Sequence, residues 1–519
     1  MSSNTFTGLD RRQFLGALLS SAACAGTEKV DMCEASPAIQ PLEDGTHLEE
    51  PSFAANPFTL GVASGEPLPD RVILWTRLAP EPLAEDGMGG MSQDPVPVSW
   101  EIASDREFGD IVGAGVVATR PELAHAVHID ADGLMPNSTY YYRFSSGSWF
   151  SSIGKTRTTP CLGEESRSLR LAVLTCQNWE DGFFTVLADV PKQDPDLVLH
   201  VGDYIYEYGP REIVRSQTQA RISNLAGYRR RFGLYKGDAS LQEAHATCPW
   251  LVVWDDHEIS NNYNGSEFYF QLRSEAYQAY YEHMPLRLPP PSGPDVTMYR
   301  TFQWGDLAHF SILDTRQYRS VQACSDAPDC PDINDETRTM LGAEQEAWLF
   351  RELVNTNTIW NCIAQQVVMA NFAILFNYDQ WDGYPYARKK LIEYIYDQGL
   401  ENVLVFTGDV HIGGLARLNL DLDDFSSPIV AYECVTPSVT SDSRELMSAG
   451  ASIEGLMMMQ EHVDYIQATR RGYVLVNMGR ERVEYQFISV STVEEPDAEA
   501  STDAIFYLDS GSRELKRSL

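Results

Sequence analysis

From Phe58 to Pro160 short apolar and polar positions alternate in runs broken by turn residues. The runs are Val72-Ile73-Leu74-Trp75, Val96 to Ile102, Gly115 to Ala118, Ala126 to Ile129 and Tyr140 to Phe144. Alternation with period two turns one row of side chains to a core and the other to water, which predicts an all-β sandwich over residues 57–160. After Glu165 the texture changes. Apolar strand-like runs alternate with helical stretches such as Glu346 to Leu353, which predicts an α/β layer architecture over residues 166–495. Residues 31–56 are polar, contain proline and show no period, as a linker does, and residues 496–519 read as an acidic C-terminal tail.

The strands expected after Glu165 share one property. Leu171 to Thr175 ends at Cys176, Leu197 to Gly202 at Asp203, and Trp250 to Trp254 runs into Asp255-Asp256-His257-Glu258. Phe310 to Leu313 precedes Asp314, and Val403 to Gly408 precedes Asp409-Val410-His411. Open α/β sheets bind ligands at the carboxyl ends of their strands, so these groups are expected on one rim. Carboxylates gathered there repel one another, and a highly charged cation is the usual remedy. Asp203 can bridge two metals, and Tyr206, three residues on, can curl back to the same centre as a ligand to a hard ion such as Fe(III). Asp256, Asp409, His411 and the Cys176 thiolate are further candidate ligands. Gly202 and Gly408 allow close approach of the backbone. Each residue also has a plainer reading: Tyr206 as a packed aromatic, Cys176 as an inert buried thiol, His257 as a structural histidine.

In this order, Gly202-Asp203-Tyr204-Ile205-Tyr206, Asp256-His257-Glu258 and Asp409-Val410-His411 resemble the calcineurin-like metallophosphoesterases. Thr175-Cys176-Gln177, Leu313-Asp314-Thr315-Arg316 and Gly61-Val62-Ala63-Ser64-Gly65-Glu66-Pro67 are similar to the PhoD-type alkaline phosphatases, over about residues 57–495. Leu134 to Phe144 resembles the tyrosine corner of fibronectin-III-like domains. The resemblance implies a four-layer αββα sandwich behind an N-terminal fibronectin-III-like domain, and a mixed site of Fe(3+) and Ca(2+). It implies that Cys176 replaces the usual first Asp ligand, Asp203 bridges and Tyr206 is the tyrosinate on iron. Asp256 stands at the Asn/Asp metal position, His257 is the catalytic histidine, and Asp409 and His411 take the places of the last two histidines. No Val-x-x-His segment occurs near Ile363-Ala364-Gln365-Gln366, so that ligand is Gln366 or absent.

The reaction so implied is hydrolysis of phosphate esters by in-line attack of a metal-bound hydroxide, with His257 protonating or stabilising the leaving oxygen. Arg316 is a candidate catalytic residue, the cation that takes up charge on the phosphoryl oxygens, and with Asn178 a candidate substrate-binding residue. For Arg316, an ion pair with Asp314 or another core carboxylate is the alternative. Two other functions compete: a dedicated phosphodiesterase acting on phospholipid or teichoic-acid-like substrates, and a non-catalytic metal- or phosphate-binding surface protein.

Charge narrows the partners. Among 519 residues, 39 Lys+Arg against 74 Asp+Glu give a net charge of −35, which disfavours general nucleic-acid binding and leaves small phosphate esters as substrates. Arg11-Arg12-Gln13-Phe14-Leu15 followed by a short apolar stretch reads as a twin-arginine export signal over residues 1–30. It implies passage through the twin-arginine translocation machinery and a periplasmic or extracellular monomer, attached to a membrane only if Cys24 is lipidated. Cys324 and Cys330 flank a polar loop that a disulfide can close. Tyr228-Arg229-Arg230-Arg231-Phe232 is expected as a solvated helix end, and Trp381 to Tyr384 as an aromatic loop over the site.

Overall fold

The computed structural model describes residues 48–323, 330–372, 377–442 and 454–518. The expected export signal, most of the linker, Cys24 and Cys324 lie outside them. In chain order the front strands are β1 (Val62–Gly65), β2 (Val72–Arg77), β3 (Pro97–Ala103), β4 (Ile111–Ala118), β5 (Ala126–Ala131), β6 (Thr139–Ser146), β7 (Trp149–Phe150) and β8 (Gly154–Arg157). Then follow β9 (Ser168–Leu174), α1 (Val190–Gln193), β10 (Leu197–His200), α2 (Leu225–Lys236), α3 (Ala239–Thr247), β11 (Pro249–Val252), α4 (Phe270–His283), β12 (Arg300–Trp304) and β13 (Ala308–Ile312). The rest comprises α5 (Gly342–Val354), β14 (Trp360–Ala364), α6 (Pro385–Asp397), β15 (Val403–Thr407), β16 (Gly413–Asn419), β17 (Ile429–Val435) and β18 (Val463–Gln467). The last strands are β19 (Gly472–Gly479), β20 (Arg482–Val490), β21 (Ala500–Asp509) and β22 (Leu515–Arg517).

These strands form two mixed sheets and a smaller antiparallel one. The first has ten strands in the order β22-β21-β20-β19-β9-β10-β11-β1-β2-β5, the second seven in the order β12-β13-β14-β15-β17-β16-β18. β9, β10 and β11 run parallel, as do β13, β14, β15 and β17, so their carboxyl ends share a direction within each sheet. Alternation in the second sheet divides its side chains between two cores. Phe310, Cys362 and Phe406 join the core that holds β9 to β11 and α2 to α4, while Ile363, Val403 and Val405 pack with Leu349 and Leu353 of α5 and Leu391 and Ile395 of α6. Leu349 and Leu353 are four apart, the spacing that puts both on one helix face.

The front sandwich shares a layer with the sheet behind it. Its inner core lies between β3, β4 and β6 and the strands β1, β2 and β5, and β1 pairs in parallel with β11, so one layer is continuous with the ten-stranded sheet. Residues 496–519 are not a tail: β21 pairs along its whole length with β20 and buries Ala504, Phe506 and Leu508. The acidic residues mask a period-two pattern whose apolar half faces the core. Tyr140 does tie back as a tyrosine corner would, its hydroxyl accepting the Met135 N–H at 2.8 Å.

Cys161 and Cys330 are each disulfide-bonded, whereas Cys176, Cys248, Cys362 and Cys434 are free and buried. Among the described residues, no helix is long and apolar enough to cross a membrane.

Candidate metal centre at the strand ends

Residues leaving the carboxyl ends of both sheets meet at one place. Cys176 follows β9, Asp203 follows β10, Asp255 to His257 follow β11, Asp314 and Arg316 follow β13, and Asp409 and His411 follow β15. Three groups of donors each fall within 4.8 Å: Cys176, Asp203 and His411; Asp203, Asp256 and His257; Asp255, Asp256 and Asp409. Asp203 belongs to the first two and Asp256 to the last two, so the groups form a chain. The Tyr206 hydroxyl lies 2.8 Å from Asp203 Oδ2 and 3.2 Å from His411 Nε2, which brings the phenol to the first group as the three-residue offset predicted.

Backbone strain accompanies this convergence. Cys176, Asp203, Asp409 and His411 all adopt positive φ, between 55° and 66°, a conformation that costs a non-glycine residue about 1 kcal/mol or more and clusters at functional sites. Gly202 turns the chain into Asp203 at φ 112°, and a Cβ there would lie 2.4 Å from Asp255 Cβ. Only glycine lets the two acid-bearing loops touch.

The donor set fits cations. Asp255 Oδ2 and Asp256 Oδ1 are buried oxygens without a hydrogen-bond partner among the described residues, an expensive arrangement unless an ion completes it. Burial, and then the negative charge of Asp203, pushes the Cys176 thiol well up from its ordinary range. Burial likewise raises the Tyr206 phenol, again with Asp203 adding to it, and raises Asp409 to about 6. Protein groups alone therefore disfavour the charged forms that metal ligation needs, and a cation reverses that balance.

His257 is braced for one task. Its Nδ1 is 2.8 Å from Glu207 Oε2, its ring stacks on Tyr206 with centroids 4.1 Å apart, and its backbone N–H donates to Asp203 Oδ1 at 3.3 Å. Burial works to lower its pKa, while the carboxylates of Asp256 and Asp203 and the hydrogen bond to Glu207 act the other way and raise it above the ordinary histidine range. Glu207 and Glu258 carry no role in the sequence motifs, although Glu258 stands inside one of them and Glu207 directly follows another. Glu258 accepts the N–H groups of Asp203, Tyr204 and Asp255 at 3.2, 2.5 and 2.9 Å, which clamps the two loops together. Ser441 was missed with no local signal; its hydroxyl donates to Tyr206 at 2.7 Å from a loop 235 residues away.

Arg316 is corrected. It is fully buried, and all three guanidinium nitrogens are engaged: Nε by Asp255, Nη1 by Asp379 at 2.6 Å and Nη2 by Asp409 at 2.6 Å. The ion-pair alternative holds, with these carboxylates rather than the Asp314 side chain, and Arg316 is a fixed cation inside the acid cluster rather than a group reaching for substrate. Arg316→Met is accordingly expected to lower stability by about 3–5 kcal/mol in denaturant unfolding, because it strands the buried Asp255 carboxylate and leaves Asp379 only Arg319 and Gln322, and Asp409 only Gln380. Unchanged stability with a raised KM would restore the substrate-binding role.

Three further expectations change. Gln366 is no ligand: Oε1 accepts from Thr315 N and Oγ1, and Nε2 donates to Leu313 O at 2.8 Å. The arginine run in α2 is not solvated, since Arg229 forms a buried pair with Glu282 and Arg231 donates to the Tyr206 and Tyr208 carbonyls. Trp381 and Tyr384 are core residues, the former donating to Gln365 Oε1 at 2.7 Å. Asn178 is buried beside the site and lines, with Trp179, Tyr206 and Tyr208, a small cleft.

Residues 171–487 match the family model described as PhoD-like phosphatase, and residues 45–160 match that of the PhoD-like phosphatase N-terminal domain. Over 479 residues the chain is 43% identical to alkaline phosphatase D of Bacillus subtilis (strain 168), covering 88% of this chain and 81% of that protein. The solved structure of PhoD superposes with a TM-score of 0.84 at 42% identity, over 90% of this chain and 93% of that one.

Proposed function

The chain belongs to the PhoD-like phosphatase family and is a phosphoric ester hydrolase, and from that premise we propose that it is an exported alkaline phosphatase and phosphodiesterase working at the Asp203 centre with iron and calcium. The observation that carries this reading is the contrast between the two ends of the donor chain. Cys176, Tyr206 and His411 offer thiolate, phenolate and imidazole beside Asp203, a set suited to Fe(III), while Asp255, Asp256 and Asp409 offer only carboxylate oxygen, the donor calcium prefers. Asp203 would be the bridging ligand: it belongs to the iron-side group and to the middle group, which Asp256 links to the carboxylate end. The paired sheets with helices packed on them are read as the αββα sandwich, and the front strands as its fibronectin-III-like domain, divided near residue 160.

Bound cations supply positive charge against the phosphoryl oxygens and a water of lowered pKa as nucleophile. The protein's own residues do the rest. Glu207 fixes the His257 ring through Nδ1, which leaves Nε2 to meet the ester and give its proton to the departing oxygen. Tyr206 stacks on the ring and prevents it from turning. Asn178, beside Tyr206, is the candidate contact to the phosphoryl group.

Two disulfide-bonded cysteines support export, because such bonds persist in oxidising compartments. The test is metal analysis with absorption spectroscopy on protein recovered outside the cytoplasm. A visible charge-transfer band that weakens in Tyr206→Phe is expected, together with bound calcium. A colourless, fully active protein containing only zinc contradicts the iron assignment, and accumulation in the cytoplasm with Arg11 and Arg12 intact contradicts export.

A further inference from the structure

With Arg316 enclosed among carboxylates, the cations that meet a substrate lie elsewhere. The loop from Tyr208 to Arg221 leaves the site at Glu207 and returns to it, Ile222 N donating to Glu207 O at 2.9 Å. At its two ends it carries Arg211 and Arg221, whose guanidinium carbons sit 5.5 and 5.9 Å from the centroid of the Tyr208 ring. Tyr208 in turn meets the His257 ring edge-on at 5.1 Å. Two guanidinium groups therefore flank one aromatic ring directly beside the proton donor.

Both arginines have acidic partners, Asp181 for Arg211 at 2.7 Å and Glu207 for Arg221 at 3.2 Å. In each pair the acid is the buried end. The Arg221 side chain is 61% exposed against 2% for Glu207, and the Arg211 side chain 34% against 3% for Asp181. The carboxylates are further occupied from the inside: Glu207 by His257 Nδ1 and the Asn261 N–H, Asp181 by the Asp442 N–H. What a ligand meets at this rim is two cations on a surface whose net charge is −35.

We infer that Arg211 and Arg221, with Tyr208 between them, bind a second anionic group on the alcohol side of the ester, so that the preferred substrate class is a phosphate ester whose alcohol carries another phosphate. This rests on the hydrolase reading above. In the reaction, water replaces the alcohol at one phosphorus, the P–O bond breaks and the alcohol oxygen takes the His257 proton. The second phosphate stays unreacted in the clamp. A guanidinium suits this task because it offers paired N–H groups to phosphate and stacks on an aromatic face.

The experiment compares kcat/KM per reactive phosphate for glycerol 1,3-bisphosphate with that for glycerol 1-phosphate in the parent enzyme and in Arg211→Gln, Arg221→Gln and the double variant. The parent ratio is expected above one, although the acidic surface alone predicts the reverse, and to fall about tenfold for each arginine removed, the worth of one charge-assisted contact of about 1.4 kcal/mol. Whatever Arg221→Gln costs both esters through Glu207 cancels in the ratio. Arg221→Lys is expected to restore part of the preference, and 0.5 M salt to erode it. A parent ratio at or below one, or variants that slow both esters equally, overturns the clamp. If the parent hydrolyses neither ester, nor any other phosphate ester, it is the hydrolase reading that fails.

Discussion

Asp203→Asn is expected to reduce kcat/KM on phosphate monoesters by on the order of 10³-fold or more, since several kcal/mol of charge stabilisation depend on the cations it holds. The carboxylate belongs to two donor groups at once, and its oxygens also take the Tyr206 hydroxyl and the His257 backbone N–H. Asn keeps the size and one acceptor but removes the charge. The fold should survive, because the change relieves repulsion among Asp203, Asp255, Asp256 and Asp409 rather than opening a cavity. Metal analysis on the purified variant should show depletion, and circular dichroism an unchanged spectrum. A variant that keeps its metals and its rate would remove Asp203 from the bridging role.

The second large effect belongs to His257. His257→Gln is expected to lower kcat by about 10²- to 10⁴-fold, the usual worth of a positioned proton donor, with metal content unchanged. The loss should depend on the leaving group. Aryl esters, whose phenolate leaves without a proton, should lose least, and alkyl esters most. Glu207→Gln should reproduce the same selectivity at about 10- to 100-fold, and the double variant should be little worse than His257→Gln, because both residues act along one hydrogen bond. Equal losses on aryl and alkyl esters would make His257 a binding residue and not a proton donor.

What could be read from the chain follows from how local each signal was. Cys176, Asp203, Tyr206, Asp256, His257, Asp409 and His411 each sit at the end of an apolar strand run, and parallel strands place such ends together; the structure brings all seven to one centre. The positive φ angles of Cys176, Asp203, Asp409 and His411 were invisible, since nothing in the residue type announces a left-handed Cys or His. Arg316 was misread for a reason of distance. Its partners Asp255, Asp379 and Asp409 lie 61, 63 and 93 residues away, so its enclosure is a product of the fold alone. The same holds for Ser441 and for β21, whose charged alternate positions resemble a solvated tail until β20 is laid beside them.

The account turns on one statement, that ester hydrolysis takes place at a metal centre built on Asp203. Phosphate release from a monoester, followed on one sample before chelation, after chelation and after metals are returned, tests it most directly. The account predicts turnover that disappears with the metals and returns with them in the parent protein, and that returns in no measurable amount in Asp203→Asn. Full turnover by chelated protein whose metal content is verified as nil contradicts it.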